Sequence, residues 1–255
     1  MSKIVSIHSY RGGTGKSNTT ANIAATIASY GKRVGIIDTD IQSPGIHVLF
    51  GAGEEGLTPC LNDYLWGHCS IADAAHDVTA QISSRIKAES QVFLVPSSVK
   101  AGEIARVLKE GYDVGLLNDG FQDLLEDLDL DYLFIDTHPG LNEETLLSIT
   151  ISDMLVLILR PDQQDFQGTA VTVDVARRLE VPEMLMVVNK APTVLDFEQL
   201  RQKVEQTYNV PVGAVLPHSD ELMILASKGV FAVEYPEHEI SQKIDVVAQQ
   251  IMRID

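Results

Sequence analysis

Tyr10-Arg11-Gly12-Gly13-Thr14-Gly15-Lys16-Ser17, the stretch YRGGTGKS, decides how this chain is read. It lies between the apolar run KIVSIHS (Lys3–Ser9) and a segment with helical spacing, NTTANIAATIAS (Asn18–Ser29). Strand, glycine-rich turn and helix in that order are the context of a phosphate-binding loop. Backbone N–H groups around Gly12, Gly13 and Gly15 can curl around an anion, because glycine admits the positive φ angles such a nest needs. The following helix turns its positive N-terminal end toward the same point. Lys16 is then expected to reach the β- and γ-phosphates and the Ser17 hydroxyl to hold Mg²⁺. The strict pattern G-x-x-x-x-G-K-[ST] nonetheless fails, since Tyr10 occupies its first glycine position and a second basic residue, Arg11, sits inside the loop.

Outward from the loop, short β-rich runs alternate with helix-period segments. Strands are expected at Lys3–His8, Arg33–Asp38, Gln91–Pro96, Tyr132–Asp136, Met154–Leu159, Leu185–Asn189 and Val212–Leu216. Their near-continuous apolar character suits a sheet buried on both faces. Helices are expected at Ser17–Tyr30, Ala101–Leu108, Val114–Asp127, Glu143–Ser148, Asp165–Leu179, Phe197–Tyr208, Asp220–Ser227 and Glu239–Met252. This alternation predicts a doubly wound α/β fold with a mostly parallel sheet and helices on both faces. No repeat or Pro/Gly/Ser linker interrupts it, so residues 1–255 read as one domain. Glu54–Ser90 reads as small helices and a variable surface loop.

Nineteen basic residues against 36 acidic ones give a net charge of −17. That excess repels nucleic-acid phosphates and anionic membranes, and no cluster of basic residues in the sequence offsets it, so neither DNA nor direct membrane binding is expected. No apolar run approaches the roughly 18 residues of a membrane helix, and no signal pattern precedes the first strand, so a cytoplasmic location is expected. Cys60 and Cys69 are too widely spaced for a C-x-x-C metal or redox motif. His47, His68 and His76 show no metal-ligand spacing with them, and His8 reads as a satisfied histidine beside the sheet.

Two further segments carry chemistry. Asp38-Thr39-Asp40 closes the run RVGIID, and the strand ends of an open α/β sheet are where ligands bind. One carboxylate there suits a Mg²⁺-bound water and the other suits orienting an attacking water. DYLFIDTHPG, Asp131–Gly140, is an apolar strand ending in a carboxylate, the Walker B arrangement, in which Asp136 holds Mg²⁺ through water. Pro139-Gly140 begins a loop able to sense a γ-phosphate.

Together these segments resemble the ParA/MinD superfamily of deviant-Walker ATPases, MinD-like branch, within the wider group that includes Mrp-type carriers. Tyr10–Ser17 is similar to the loop x-K-G-G-x-G-K-[ST], Asp38–Asp40 to a switch I D-x-D, and Asp136–Gly140 to a switch II D-x-x-P-G. Val95-Pro96-Ser97-Ser98 resembles the segment V-P-[AS]-S, while Asn189 and Pro217 stand where residues flank adenine. Asn189-Lys190-Ala191-Pro192 lacks the aspartate of a guanine motif, which favours ATP. The resemblance implies an ATP-sandwich homodimer that recruits or positions an unidentified protein partner or cargo. In it Arg11 crosses to the partner's phosphates, Asp40 positions water, Gly12 to Asn18 cradle the nucleotide, and Ser17, Asp38 and Asp136 serve Mg²⁺. Alternatives are a slow or non-hydrolysing nucleotide-dependent scaffold, an Mrp-like cargo or metal-cluster carrier, and a small-molecule ligase on the same fold.

Three residues depart from the family pattern. Arg11 replaces a lysine, offering a planar fork in place of a point charge. Asn18 stands where threonine is common, and His138 stands where the residue is usually small or apolar; the latter reads as a partly exposed loop histidine. The helix Asp165–Leu179, with Gly168 and its valines, is marked as a candidate interface, and Trp66 as an anchor of the variable loop.

Overall fold

The computed structural model describes residues 2–53, 57–84, 87–225 and 227–254. Eight strands form one sheet: β1 (Lys3–His8), β2 (Arg33–Asp38), β3 (His76–Asp77), β4 (Gln91–Val95), β5 (Tyr132–Asp136), β6 (Met154–Leu159), β7 (Glu183–Ala191) and β8 (Val212–Pro217). Their order is β3-β4-β2-β5-β1-β6-β7-β8, parallel throughout except for the antiparallel pairing of β3 with β4. This is the expected doubly wound architecture. Short β3 is an addition that its sequence, two polar residues, did not signal.

The strands at the centre read as apolar runs because both faces are covered. All residues of β5 and β6 are buried. On one face lie the helices Lys16–Ser29 and Glu239–Ile251, packed with Val5, Ile7, Ile36, Phe134 and Val156. Two further clusters fill the other face. One gathers Leu155, Leu157, Met186 and Val188 under the helices Gln163–Arg178 and Phe197–Tyr208, and the other Ile37, Leu133 and Ile135 under Gly115–Asp127. Helix Lys16–Ser29 is lined by Ile23, Ala24, Ile27 and Ala28, all without exposure, so its small residues let it lie close between sheet and C-terminal helix.

Helix and strand limits fall within a residue or two of the expected ones, as fraying ends allow. Helix Asp220–Leu225 stops short of the expected Ser227, and residue 226 lies outside the described residues. Within Glu54–Ser90, helix Leu61–Leu65, strand β3 and the 3₁₀ turn Thr79–Ile82 are described; 54–56 and 85–86 lie outside. Trp66 does anchor this region. Arg106 stacks 3.9 Å from its ring centre, and its indole N–H donates to Glu103 at 3.1 Å.

What the sheet order does for function is bring β2, β5 and β1 side by side. Register pairs Asp38 with Asp136 and Ile7 with Asp136, so the ends of three strands distant in sequence meet at one level. Phe134, with no exposed surface at the centre of this group, is the residue whose loss should loosen it most. Phe134→Ala is expected to lower unfolding stability by about 3–5 kcal/mol, read from denaturant melts. A loss under about 1 kcal/mol would show that the centre is not packed this way.

Candidate functional site

The loop leaving β1 takes the shape its glycines permit. Gly13 has φ of 76° and Gly15 of 92°, the latter as N-cap of helix Lys16–Ser29. Both are left-handed conformations that a side chain would strain. Gly15 is constrained twice, since a Cβ there would lie 2.5 Å from Asn189 Nδ2. That amide donates to Thr14 O at 2.8 Å, and Lys190 Nζ donates to Gly13 O at 2.8 Å. The end of β7 therefore props the loop from beneath. Lys190 was not singled out from sequence. Its contact spans 177 residues, and only its place after Asn189 hinted at it.

Tyr10 explains its own intrusion at a glycine position. Its ring lies against Gly168 of helix Gln163–Arg178, where a Cβ would collide with Tyr10 Cδ1. Gly168, inside the helix, is a seat for this ring. Arg11 follows it to the same helix, with Nη1 3.4 Å from Asp165 Oδ1 and 3.8 Å from Asp162 Oδ1. Asp165 is buried and is also gripped by Arg160 through its backbone N–H, Nε and Nη2 at 2.9, 3.0 and 3.1 Å. Burial would raise the Asp165 carboxyl, but these bonds and the Arg11 charge outweigh it and hold it low.

A cavity of about 260 Å³ opens above the loop, lined by Gly12 to Asn18 together with Asp40, Ser43 and Pro139. Lys16 is among the lining residues, but its ammonium is engaged with a carboxylate. Its Nζ turns down to Asp136 Oδ1 at 2.6 Å, where Thr20 Oγ1 also approaches at 3.3 Å. Asp38 and Asp136 are wholly buried side by side. Burial, and after it the Asp136 charge, push the Asp38 carboxyl well above the usual carboxylate range, against the pull of Lys16. Asp38 also closes its turn, accepting the N–H groups of Asp40 at 3.0 Å and Gly45 at 3.3 Å. Asp136 Oδ2 is buried with no hydrogen-bond partner among the described residues.

Asp40 faces the cavity from the side. Burial opposes its charge, but a hydrogen bond from His138 and the nearby Lys16 charge hold its carboxyl below the ordinary range. His138 is partly exposed, as expected, yet it is no idle loop residue, for Nδ1 lies 2.7 Å from Asp40 Oδ1 across 98 residues of sequence. Ser43, also unnoticed in the sequence, donates to the same oxygen at 2.9 Å. Asn189 and Pro217 do not line the cavity above the loop. Their neighbours Lys190 and His218 line an adjoining one of about 580 Å³ with Pro192, Thr193 and Val194.

Residues 1–252 match the ParA family, described as NUBPL iron-transfer P-loop NTPase. This chain belongs to that family. An uncharacterized ATP-binding protein of Methanocaldococcus jannaschii is 27% identical over 99% of this chain and 88% of its own length. An iron-sulfur cluster carrier protein of Pseudomonas fragi is 27% identical over 89% of this chain and 76% of its own. Among solved structures, the cell division ATPase MinD of Pyrococcus furiosus superposes with a TM-score of 0.80 at 22% identity over the whole of both chains. MinD of Pyrococcus horikoshii, complexed with Mg-ADP, gives 0.78 at 20% identity over 99% of this chain and 97% of its own. The protein is thus a P-loop NTPase of the ParA family with the fold of MinD.

Beneath this ParA-family site, His8 departs from expectation. Its Nδ1 meets Thr137 Oγ1 at 2.8 Å, but Nε2 is buried without a partner among the described residues, so the ring is only half satisfied. Burial, then the charges of Lys16 and His138, push its pKa down to about 3. Between that value and the unfolded value near 6.5, the unfolded chain binds a proton that the fold refuses, so stability falls as pH drops. The penalty amounts to about 2 kcal/mol at pH 5. His8→Leu is expected to remove it: in urea melts the wild type should lose about that much stability relative to the variant between pH 7.5 and 5. Parallel pH profiles would show that His8 accepts the proton after all.

Proposed function

We propose that this protein is a Mg²⁺-dependent ATPase switch, built on one domain spanning residues 1–255, that dimerises around ATP and presents the dimer to a protein partner or cargo. The observation that carries the reading is Asp40, a carboxylate held ionised at the rim of the cavity formed by the phosphate-binding loop. The amides of Gly12 to Asn18 and the helix N-terminus bind the phosphates. The cavity lined by Lys190 and His218 accommodates the base, with Asn189 and Pro217 next to these two residues in the chain.

The residues present fit a divalent cation. Asp38 and Asp136 form a buried carboxyl pair in which Lys16 holds one oxygen of Asp136 and the other has no partner among the described residues. Ser17, Asp38 and Asp136 would hold Mg²⁺, directly or through water; when bound it neutralises charge on the β- and γ-phosphate oxygens. Lys16 is then free to leave Asp136 for the phosphates, where its charge meets the developing negative charge. Asp40 accepts a hydrogen bond from the attacking water and orients it in line. Hydrolysis removes the phosphate that holds the loops and the dimer together, so oligomeric state reports nucleotide state.

Arg11 is the residue assigned to the partner's phosphates. In the single chain it rests on Asp165 and Asp162, and dimerisation would lift it from them. Light scattering with Mg-ATP is expected to show conversion of monomer to dimer, Asp40→Ala to prolong the dimer by slowing hydrolysis at least about tenfold, and Arg11→Ala to weaken dimerisation while sparing ATP binding. A mass independent of ATP in all three proteins would sink the switch.

The names of curated relatives, iron-sulfur cluster carriers among them, favour a second reading in which the cargo is a metal cluster. Cys60, buried with its thiol pushed up to about 11 chiefly by burial, is a poor thiolate ligand. Cys69 is the remaining thiol. Reconstitution with iron and sulfide is expected to leave no stable visible absorbance on the gel-filtered protein; a stoichiometric chromophore lost in Cys69→Ser would favour the carrier.

A further inference from the structure

Asp40 is held by one oxygen. Oδ1 accepts the backbone N–H of Ser43 at 3.2 Å, the Ser43 hydroxyl at 2.9 Å and His138 Nδ1 at 2.7 Å. Oδ2 accepts no hydrogen bond from the described residues, and Asp40 lines the cavity above the loop. An ionised carboxylate only accepts, so the hydrogen in the shortest of these contacts sits on His138 Nδ1.

His138 is itself pinned from two sides. The preceding Thr137 donates its N–H and its hydroxyl to Ile7 O at 3.2 and 3.0 Å, and its hydroxyl accepts from His8 Nδ1 at 2.8 Å. The His138 carbonyl accepts from Thr145 Oγ1 at 3.2 Å, at the start of helix Glu143–Thr150. The imidazole is therefore carried on backbone fixed to the central strand and to a helix, neither of which belongs to the Asp40 loop. It does not line the cavity over the phosphate-binding loop.

We propose that His138 is a positioning residue for nucleotide hydrolysis: its Nδ1–H clamps Asp40 Oδ1 so that Oδ2 is presented to the attacking water. The inference rests on the hydrolytic reading above and adds a residue that stands at a variable position of the D-x-x-P-G segment. Ser43 sits on the same loop as Asp40 and moves with it, whereas His138 ties the carboxylate to the sheet. An unclamped carboxylate rotates, and catalysis that depends on oriented groups loses rate without losing affinity. The ring touches no phosphate-lining residue other than Asp40 in these contacts, so removing it should act on turnover alone.

The test compares wild type, His138→Ala and His138→Asn in single-turnover Mg-ATP hydrolysis, alongside affinity for a fluorescent non-hydrolysable ATP analogue. Asparagine keeps an N–H donor close to the Nδ1 position; alanine does not. His138→Ala is expected to hydrolyse about tenfold more slowly, the size of one hydrogen bond to a charged group. Analogue affinity should stay within about twofold, and His138→Asn should recover most of the rate. Turnover in His138→Ala equal to or faster than wild type overturns the proposal, the faster case marking a latch. So does an asparagine variant as slow as alanine, or an affinity that falls in step with the rate. Wild type that binds the analogue and never hydrolyses ATP would instead defeat the hydrolytic reading, and this inference with it.

Discussion

Two carboxylates that the sheet forces together, and the lysine that separates them, set the terms for the rest of this structure. Asp38 and Asp136 are opposite each other on adjacent parallel strands with no exposed surface. Two charges so placed would repel, and burial together with the Asp136 charge pushes the Asp38 carboxyl toward its neutral form. Lys16, 2.6 Å from Asp136, is the counter-charge, and it arrives on the first turn of the helix that the glycine loop launches. Breaking such a pair by removing one partner typically costs about 3–5 kcal/mol, since the survivor is left buried and uncompensated. The chain can give up Lys16 to a phosphate only if something else takes its place beside Asp136. In the proposed switch a cation arriving with the nucleotide would meet that condition, so phosphate binding and metal binding would be one event.

Around this pair the backbone is stitched together independently of any ligand. Thr39 donates its N–H and its hydroxyl to Asp136 O at 3.0 and 3.1 Å, and Thr137 bonds back to Ile7. Ser97 Oγ donates to Asp38 O at 2.7 Å, tying in the segment after β4. These bonds fix the strand ends as a unit and leave Asp40, His138 and Arg11 as side chains reaching out from a rigid base. Side chains on such a base keep their geometry better than side chains on free loops.

The fold was legible because its signals are local. Apolar runs such as MLVLIL admit a strand buried on both faces, and the loop after β1 fixes which end of the sheet matters. The placement of Lys16, Asp38, Asp40 and Asp136 around one point was legible for the same reason, each standing at or just beyond the end of a strand or at the start of a helix. What escaped was pairing. Nothing near Lys190 in sequence says that it holds Gly13, nothing near Gly168 says that it seats Tyr10, and His138 meets Asp40 only because β5 is inserted between β2 and β1. A histidine read by its neighbours alone looks like loop surface. Read by its strand order, it is a partner of the site.

The same distinction bears on the two basic residues of the loop. Lys16 is bound to a wholly buried carboxylate, so its release is costly and must be compensated. Arg11 is 40% exposed on its side chain and shares Asp165 with Arg160, which already supplies three contacts. Exposed ion pairs contribute little, about 0–1 kcal/mol, and Asp165 remains satisfied when Arg11 departs. For a dimer that uses Arg11 in trans, the free chain therefore presents almost no barrier at that residue, while Lys16 stays committed until nucleotide arrives. Tyr10, seated on Gly168, keeps the loop's entry fixed as Arg11 swings beside it. The residues that spoil the common P-loop pattern thus divide the work, one anchoring the loop and the other left loose at its edge. In the proposed switch, this difference in depth favours nucleotide first and partner second.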